Sequence, residues 1–458
     1  MSKLSLSACL SASAFACALS ATGVPALGQT TNTPSKAAPD TVGPQGRPPN
    51  AAPTTPPAPA PGPLPSTSPL AGVTAVGETL QQKGIYFQLG YTEDFSSVVS
   101  GGLKKGTMPT GELFFGTVLD LQTMFGLTGS SFHVTFDERN GYSVNPLVGT
   151  QGPLQANSGP TRAIRLSELY WEQGFDNDRI DIIAGRTNPT FDFATSDVSC
   201  QFVSSIICAQ PGSWYFSNNN EAYPASTWGG RINVAVTPHV YVRAGVFDDD
   251  PSQLGTEEHG FTWNTKGSTG VFVPAEVGYT TSFSDERYPV KYDVGGYYDA
   301  SSYSAPNGVR MHDRTAIYVQ GLQTVWRPNT STNQSLTVVA GGIVYGGGAP
   351  YWGQYYAGAL DRGPFVTRPN DTIALIGSYY ANNSNERPNK PGQWIFEVNY
   401  GIDVVPGVTI KPFMQYVIAP NNFLAARGTK EPSDAWVVGA QVAINFGQLA
   451  HFPQFVAH

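Results

Sequence analysis

Charged and amide side chains alternate with apolar ones in several segments of the chain. Arg231 and Asn233 flank Ile232, and Arg243 lies between two apolar residues. Such groups exchange hydrogen bonds readily with water or with a hydroxyl-rich solute. The candidate contact residues are His133, Asp137, Arg165, Glu168, Trp171, Arg186, Asp192, Trp214, Arg231 and Arg243. Their chemistry is that of weak, reversible contact, because each group can exchange a hydrogen bond with a solute for one with water.

The sequence lacks residue spacings typical of enzymes or metal sites. It contains no G-x-S-x-G, no H-E-x-x-H and no phosphate-binding loop. The six His are scattered, and His133 with Asp137 is the nearest acid–base pair, with no Ser clearly beside it. We therefore expect no catalytic residue, no cofactor and no metal.

The elements that position these side chains show a period of two residues. From Trp436 to Phe446 every second residue is apolar, and Gly439, Gln441, Ala443 and Asn445 on the other face are small or polar. Successive side chains of a strand point to opposite faces, so such a segment has one apolar and one polar face. Runs of about ten residues match tilted membrane strands. Sixteen such segments begin near Ile85, Glu112, Ser131, Ile164, Arg179, Trp228, His239, Val271, Tyr288, Asp313, Leu336, Tyr351, Thr372, Trp394, Val408 and Ala435.

The connections between these segments alternate between short and long. Tight turns are expected at residues 175–178, 237–238, 284–286 and 406–407, and long loops at 139–163, 187–227, 248–270 and 421–434. Short periplasmic turns and long external loops are typical of outer-membrane barrels. The pattern predicts an all-β fold, a transmembrane antiparallel β-barrel of about 16 strands.

The composition agrees with a barrel in the outer-membrane lipid. Charged residues make up only 13% of the 458 residues and aromatic residues 12%, and Gly occurs 50 times. Outside the N-terminus no apolar run reaches the roughly 20 residues of a spanning helix. The net charge of −8 argues against a nucleic-acid partner, which needs a basic surface.

The sequence divides into four parts. Residues 1–28 are expected to be a signal peptide, cleaved after Gly28. Residues 29–83 form a Pro-rich periplasmic spacer in which Val73–Lys83 could form a short helix. Residues 84–446 form the barrel, and 447–458 are a C-terminal extension. Barrel assembly machinery reads a terminal aromatic residue, for which Phe446 could serve.

Export to an oxidising compartment predicts a disulfide between Cys200 and Cys208. Both lie in the loop at 187–227, together with Asp192 and Trp214. We expect this loop to fold into the lumen and narrow it. Trp214 either offers a platform to a sugar or packs the loop against the wall. Charges on the polar strand faces are expected to point inward, because a charge facing lipid costs about 2–4 kcal/mol. Each of them could also be a wall charge paired with a neighbour.

Four blocks of sequence resemble the carbohydrate-selective porin family, also called outer-membrane porin B. They are RLSELYWEQGF at 165–175, Gly185-Arg186, WGGRINVAVTPHVYVRAGVF at 228–247 and AGALDRGPFVTRPNDTIALI at 357–376. The resemblance implies a sixteen-stranded barrel that lets glucose and other sugars diffuse across the outer membrane. It also implies a narrowest point lined by charged side chains, often arginine, and a monomer. A trimer is the alternative, as is common for general porins.

Three other functions are compatible with the sequence. A general or anion-preferring porin would share the fold, and an outer-membrane enzyme would share the barrel. A structural anchor that uses the Pro-rich segment would have a plugged lumen. Within the pore interpretation, Gly, Asn and charges of both signs on the inner face favour a neutral polar solute.

Overall fold

The predicted strands close into one antiparallel barrel of sixteen strands in the computed structural model of the chain. The structure describes residues 70–158, 163–218, 223–255, 258–304, 310–330, 332, 334–383, 390–421 and 431–455. The predicted signal peptide and the Pro-rich tract up to residue 69 lie outside the described residues.

The barrel strands, numbered here β1 to β16 in chain order, follow the period-two segments. They are Ile85–Gly102, Gly106–Asp120, Ser130–Gly141, Arg165–Phe175, Ile180–Thr187, Thr227–Ala235, Val240–Asp249, Gly270–Thr280, Val290–Asp299, Arg314–Trp326, Ser335–Gly346, Tyr351–Arg362, Thr372–Asn382, Gly392–Val405, Val408–Ile418 and Ser433–Asn445. Every predicted start lies within two residues of the observed one, except that of β2, which begins six residues before Glu112. The predicted fold class is confirmed.

The first and last strands pair with each other and so complete the sheet. Glu93 of β1 lies opposite Gly111 of β2 on one side and opposite Val442 of β16 on the other. Closure pairs each of the sixteen described barrel strands on both sides, so the barrel has no open edge that lipid would leave without hydrogen bonds. Large apolar side chains point outward along the strands; Ile317 and Val319 of β10, for example, are exposed.

Connections at the two ends of the barrel differ in length. The end after even-numbered strands, here called the turn end, carries the tight turns at 176–179 and 406–407. The other, here called the loop end, carries the long connections at 142–164, 188–226, 250–269 and 419–432. The alternation is less strict than predicted, because the loop-end connections at 103–105 and 347–350 are short.

Short helices occupy several connections. They are α1 Ala71–Gln81 before β1, α2 Leu121–Phe125, α3 Asn145–Val148 and α4 Phe446–Leu449 after β16. The carboxylate of Asp120 starts α2 by accepting the backbone N–H of Gln122 at 3.0 Å and of Thr123 at 3.1 Å. Gly126, with φ 74°, ends α2 in the left-handed region. Among the described residues, no helix has the length and apolar character that crossing a membrane requires.

The connection between β5 and β6, here called the internal loop (residues 188–226), lies inside the barrel. It contains the 3₁₀ turns Pro189–Phe191, Ser199–Gln201 and Trp214–Phe216. Its apolar residues, including Phe202, Val203 and Ile206, are buried. A loop that buries this much apolar surface belongs to the core of the protein.

The connection between β7 and β8, here called the rim loop (residues 250–269), has the 3₁₀ turn Pro251–Leu254. It packs on the loop end of the barrel, where Leu166 N–H donates to the carbonyl of His259 at 2.9 Å. After β9, the two-residue strands Tyr303–Ser304 and Arg310–Met311 form a separate hairpin.

Candidate functional site: the lumen and its internal loop

Backbone groups of the internal loop bond to polar side chains on the barrel wall. Glu397 of β14 accepts the N–H groups of Val203 and Ser204, both at 2.7 Å. Asn399, two residues further along, donates its amide to the carbonyl of Gln201 at 2.9 Å. The wall therefore satisfies backbone groups that burial would otherwise leave unpaired.

The wall on β8 to β12 holds the loop in the same way. Glu276 accepts the N–H of Ala194 at 2.9 Å. Gln354 accepts the N–H of Ser213 and donates to the carbonyl of Ile206, both at 2.8 Å. Contacts on several strands fix the loop in one position across the lumen.

Lysine and glutamine on β9 and β10 complete this attachment. Lys291 donates to the carbonyl of Thr195 at 3.0 Å and pairs with Asp197 at 3.3 Å. Gln320 donates to the same carbonyl at 2.7 Å. The expectation that this loop folds into the lumen agrees with these contacts.

Trp214 packs the internal loop against the wall. Its side chain is 2% exposed, and its ring meets those of Tyr297 at 4.8 Å, Phe272 at 5.8 Å and Tyr318 at 6.0 Å. Of the two roles predicted for Trp214, the structure therefore gives it packing, and its ring is not available as a platform for a sugar.

Arg231, on the inner face of β6, joins the start of the internal loop to the wall. Its Nε donates to Asp192 at 2.9 Å, and its other nitrogens lie 2.8 Å from Asp181 and 3.7 Å from Glu172. The Arg231 side chain is 0% exposed, whereas those of Asp181 and Glu172 are 13% and 14% exposed. Solvent in the lumen therefore meets carboxylates here, and the guanidinium is enclosed.

Arg243, on β7, has a similar enclosed position. It donates to Asn233 at 3.1 Å and to the backbone carbonyl of Asp192, and it lies 3.9 Å from Glu276. Both arginines point inward, as the alternation predicts, and both are paired with neighbours. The alternative of a paired wall charge describes them better than a free charge in the lumen.

His133 lies on the inner face of β3 near the turn end. Its ring stacks on Tyr170 with centroids 4.5 Å apart, and Nε2 lies 2.9 Å from the Glu172 carboxylate. Its side chain keeps 11% exposure. His133, Glu172 and Asp181 are thus candidate solute contacts on one side of the lumen.

Asp137, closer to the loop end of β3, belongs to a buried group of charges. Arg139 lies 3.8 Å from Asp137 and 3.4 Å from Glu112. Tyr223 of the internal loop donates to Asp137 at 3.2 Å. Burial and the nearby carboxylates raise the pKa of Tyr223, so its phenol keeps the proton that it donates. Glu168 of β4 is buried nearby on the same side of the barrel.

Arg165 and Arg186 hold the rim loop, and Arg186 also donates to the carbonyl of Ser226 in the internal loop at 2.5 Å. Arg165 donates to the carbonyls of Gln253 and Gly255, both at 2.5 Å. Arg186 donates to the carbonyl of Thr262 at 2.6 Å and to the Gln253 side chain at 3.0 Å. Both are candidate solute contacts by sequence, but at the start of β4 and near the end of β5 they anchor loop backbone at the rim.

The sequence of β4 has a mixed periodicity, which leaves Trp171 facing either the lumen or the lipid. The structure places it on the outer face of the barrel, so it does not belong among the lumen residues. It is 37% exposed, and its indole N–H donates to Ser130 at 2.8 Å. The register of β3 against β4 shifts between Thr135 and Phe136, where Ser167 is the extra residue. Such a bulge reverses the inward and outward positions, which explains the mixed periodicity of this strand.

Sequence reasoning missed Glu172, Asp181 and Glu276. Asp181 lies between Ile180 and Ile182, so the same alternation of charged and apolar residues that predicted Arg231 to face the lumen could have identified it. Glu172 was hidden by the bulge, because its position could be assigned inward only once Tyr170 was known to face the lumen.

The predicted disulfide stays a prediction. Cys208 is buried in the internal loop, and the side chain of Cys200 lies outside the described residues. In the part of the chain that the structure describes, no group of three or more His, Cys, Asp or Glu is placed to hold a metal ion.

Comparison with known proteins identifies the family. A model described as "Carbohydrate-selective porin, OprB family" matches residues 104–446. The chain belongs to this family. Porin B of Pseudomonas aeruginosa is 25% identical over 412 residues, which cover 80% of this chain and 88% of the relative. The putative porin QuiX of Acinetobacter baylyi is 23% identical, covering 81% and 91%.

A solved structure gives the same fold. The high-pH structure of Pseudomonas putida OprB superposes with a TM-score of 0.73 at 23% identity and covers 81% of this chain and 96% of that one. Family and fold together place the chain in the bacterial outer membrane as a carbohydrate-selective porin, and the resemblance noted in the sequence is confirmed.

Two blocks that carry the family resemblance have structural roles. In R-x-x-D, Arg368 donates two hydrogen bonds to Asp371, both at 2.9 Å, in the turn before β13. In W-G-G, a Cβ on Gly229 would lie 2.5 Å from the ring of Phe247, which is fully buried. Both blocks therefore support the barrel wall, and they lie outside the group of lumen-exposed residues around Arg231.

Proposed function

We propose that the chain lets neutral sugars of glucose size diffuse passively into the periplasm, with the turn end of the barrel facing that compartment. We further propose that the narrow part of the pore lies between the internal loop and the inner faces of β3 to β6. The enclosure of Arg231 by three carboxylates is the observation that carries this proposal.

Charge pairing argues for a neutral solute. An anion-preferring pore needs a cationic group that is open to the lumen. Arg231 and Arg243 are enclosed and hydrogen-bonded, and Lys291 is paired with Asp197. The more exposed Glu172 and Asp181 carboxylates can accept hydrogen bonds from sugar hydroxyls while giving the pore a weak preference for cations.

Flux measurements test this proposal. In liposome swelling, glucose should enter faster than a zwitterionic amino acid of similar size. In planar bilayers, glucose should reduce the current reversibly, and the reversal potential in a salt gradient should indicate weak cation preference. Equal entry rates for the sugar and the amino acid would mean that the protein is a general porin. A clear anion preference would contradict the argument from charge pairing. If no conductance is measured, the proposal that the chain forms a pore is wrong.

We also propose that one chain forms one pore. The barrel closes within one chain, and the internal loop is attached to the wall of that same barrel. Light scattering in detergent should give the mass of one chain with its detergent, whereas threefold that mass would favour the trimer. We assign no catalytic residue and no cofactor.

A further inference from the structure

The chain continues beyond the last strand as a compact segment, here called the terminal segment (residues 446–455). Asn445 starts α4 by accepting the N–H of Gln448 at 3.0 Å. The chain then turns back, because the N–H of Phe452 donates to the carbonyl of Gly447 at 2.7 Å. Residue His451 has φ 53°, which belongs to a turn. These contacts give the segment a fixed path.

Helix α1 holds the terminal segment from the opposite end of the chain. The hydroxyl of Thr74 donates to the carbonyl of Ala450 at 2.6 Å. One turn later, Phe452 packs on Gly77 so closely that a Cβ there would lie 2.6 Å from its ring. Thr74 and Gly77 share a helix face because they are three residues apart. Only a residue without a side chain lets the ring approach this face.

Phe455 reaches the inner wall of the barrel. Its ring meets Tyr86 of β1 with centroids 5.3 Å apart and His133 of β3 with centroids 6.0 Å apart. Tyr86 is the second residue of β1 and His133 the fourth of β3, so both lie near the turn end. His133 is also the residue stacked on Tyr170. The terminal segment thus extends from the rim into the turn-end mouth of the lumen.

We propose that the terminal segment forms a second constriction at the turn-end mouth, where the ring of Phe455 contacts a sugar as it leaves the pore. This inference rests on the proposed function. Phe455 is half-buried, so part of the residue remains accessible. An aromatic ring binds the apolar C–H face of a pyranose. The Glu172 carboxylate, 2.9 Å from His133, supplies an acceptor for sugar hydroxyls nearby.

The test is single-channel recording of the full chain in planar bilayers with and without glucose. Phe455→Ala removes the ring and should raise conductance by about twofold, since conduction follows pore diameter. The same variant should weaken the block by glucose by about fivefold, which corresponds to loss of one aromatic contact of roughly 1 kcal/mol.

A second variant tests the attachment to α1. Gly77→Leu should push Phe452 away, displace the terminal segment and reproduce both changes. The matched control is Phe365→Ala, because Phe365 lies in the turn between β12 and β13, is 50% exposed and contacts the ring of Tyr400. This control should conduct as the wild type does. Heat-modified gel mobility reports whether each barrel has assembled. If Gly77→Leu does not assemble, the proposal is tested by Phe455→Ala alone.

The outcomes separate the two proposals. If the wild type neither conducts nor admits glucose, the proposed function fails. If it conducts and Phe455→Ala matches Phe365→Ala, the second constriction is refuted and the proposed function stands. If conductance rises but the block by glucose is unchanged, the constriction is supported and the contact between sugar and ring is refuted.

Discussion

The internal loop and the rim loop both connect barrel strands at the loop end, yet they occupy different places. The internal loop buries Phe202, Val203 and Ile206 within the barrel. The rim loop leaves Phe261 and Trp263 exposed at 53% and 45%. A loop enters the lumen when it has enough apolar side chains to form a core with the inward aromatic residues.

The wall holds the internal loop through both acceptors and donors, and Lys291 and Arg243 donate to the carbonyls of Thr195 and Asp192 there. It holds the rim loop mainly through donors. Carboxylates such as Glu397 accept backbone N–H groups of the internal loop. Guanidinium groups of Arg165 and Arg186 donate to backbone carbonyls of the rim loop. The charged residues of the wall are therefore used largely to satisfy loop backbone, and only the internal loop should affect conduction.

Of the variants that test this difference between the two loops, Arg231→Ala should have the largest effect on stability and ion preference. The change leaves Asp192, Asp181 and Glu172 without their shared cation. Loss of one partner from a buried ion pair costs about 3–5 kcal/mol. Urea unfolding in detergent should show this loss, and reversal potentials should show stronger cation preference. Arg231→Lys keeps the charge and should restore part of the stability and part of the wild-type ion preference. If Arg231→Ala has the wild-type reversal potential, Arg231 does not influence ions in the pore.

Glu397→Ala should give the next largest effect. It removes the acceptor of two backbone N–H groups, and each unsatisfied buried group costs about 1–3 kcal/mol. The internal loop should loosen, so channel recordings should show higher conductance with frequent fluctuations. Glu397→Gln retains one carbonyl oxygen, so its conductance and current fluctuations should lie between those of the wild type and of Glu397→Ala. Quiet, wild-type traces from Glu397→Ala would mean that this attachment does not hold the loop.

Arg165→Ala should affect only the rim loop. Two carbonyls lose their donor, which costs about 1–3 kcal/mol locally. Trypsin should then cut faster after Lys266, an exposed residue of the rim loop, while conductance stays at the wild-type value. Arg179→Ala, in the exposed turn between β4 and β5, is the matched control. Altered conductance in Arg165→Ala alone would contradict the division between the two loops.

The smallest effect is expected at the turn end, where Asp371 is bonded to Arg368. Burial opposes ionisation of Asp371, but hydrogen bonds from Arg368, Tyr400 and the Asp403 N–H lower its pKa overall. The resulting stability is present above the ordinary pKa of about 3.9 and is lost as pH falls through the lowered value. Asp371→Asn should cost less than about 1 kcal/mol at neutral pH, because Arg368 is open to solvent.

The pH dependence of the stability difference between wild type and Asp371→Asn tests whether the pKa of Asp371 is lowered. The gap in unfolding free energy between wild type and Asp371→Asn should shrink as the pH is lowered from 7 towards 3. A gap that grows on acidification would mean that the carboxyl is favoured in its protonated form.

The sequence predicts the strands well because each one separates lipid from a polar lumen, and that boundary imposes the period of two. It failed at the start of β2, where Gly106-Thr-Met-Pro-Thr-Gly lacks a clear apolar face. It also failed at Trp171, because a bulge at Ser167 changes the pairing register without a signal in the apolar pattern.

The candidate site was only partly predictable. Alternation places Arg231 and Arg243 inward, but it cannot show which side chains another segment covers. Whether Trp214 is accessible depends on rings from β8, β9 and β10, which meet only in the closed barrel. The partial exposure of the Glu172 and Asp181 carboxylates also results from tertiary packing that alternation does not show.

The contact between Thr74 and Ala450 joins positions 376 residues apart in the chain. Thr74 and Ala450 therefore lie side by side, and a short peptide could join the chain at that point. A circular permutant could then begin and end in the β2–β3 turn near Gly126, which has open space around it. In such a protein the seam between β1 and β16 would become an ordinary internal hairpin, and synthesis would no longer have to finish before those two strands could pair.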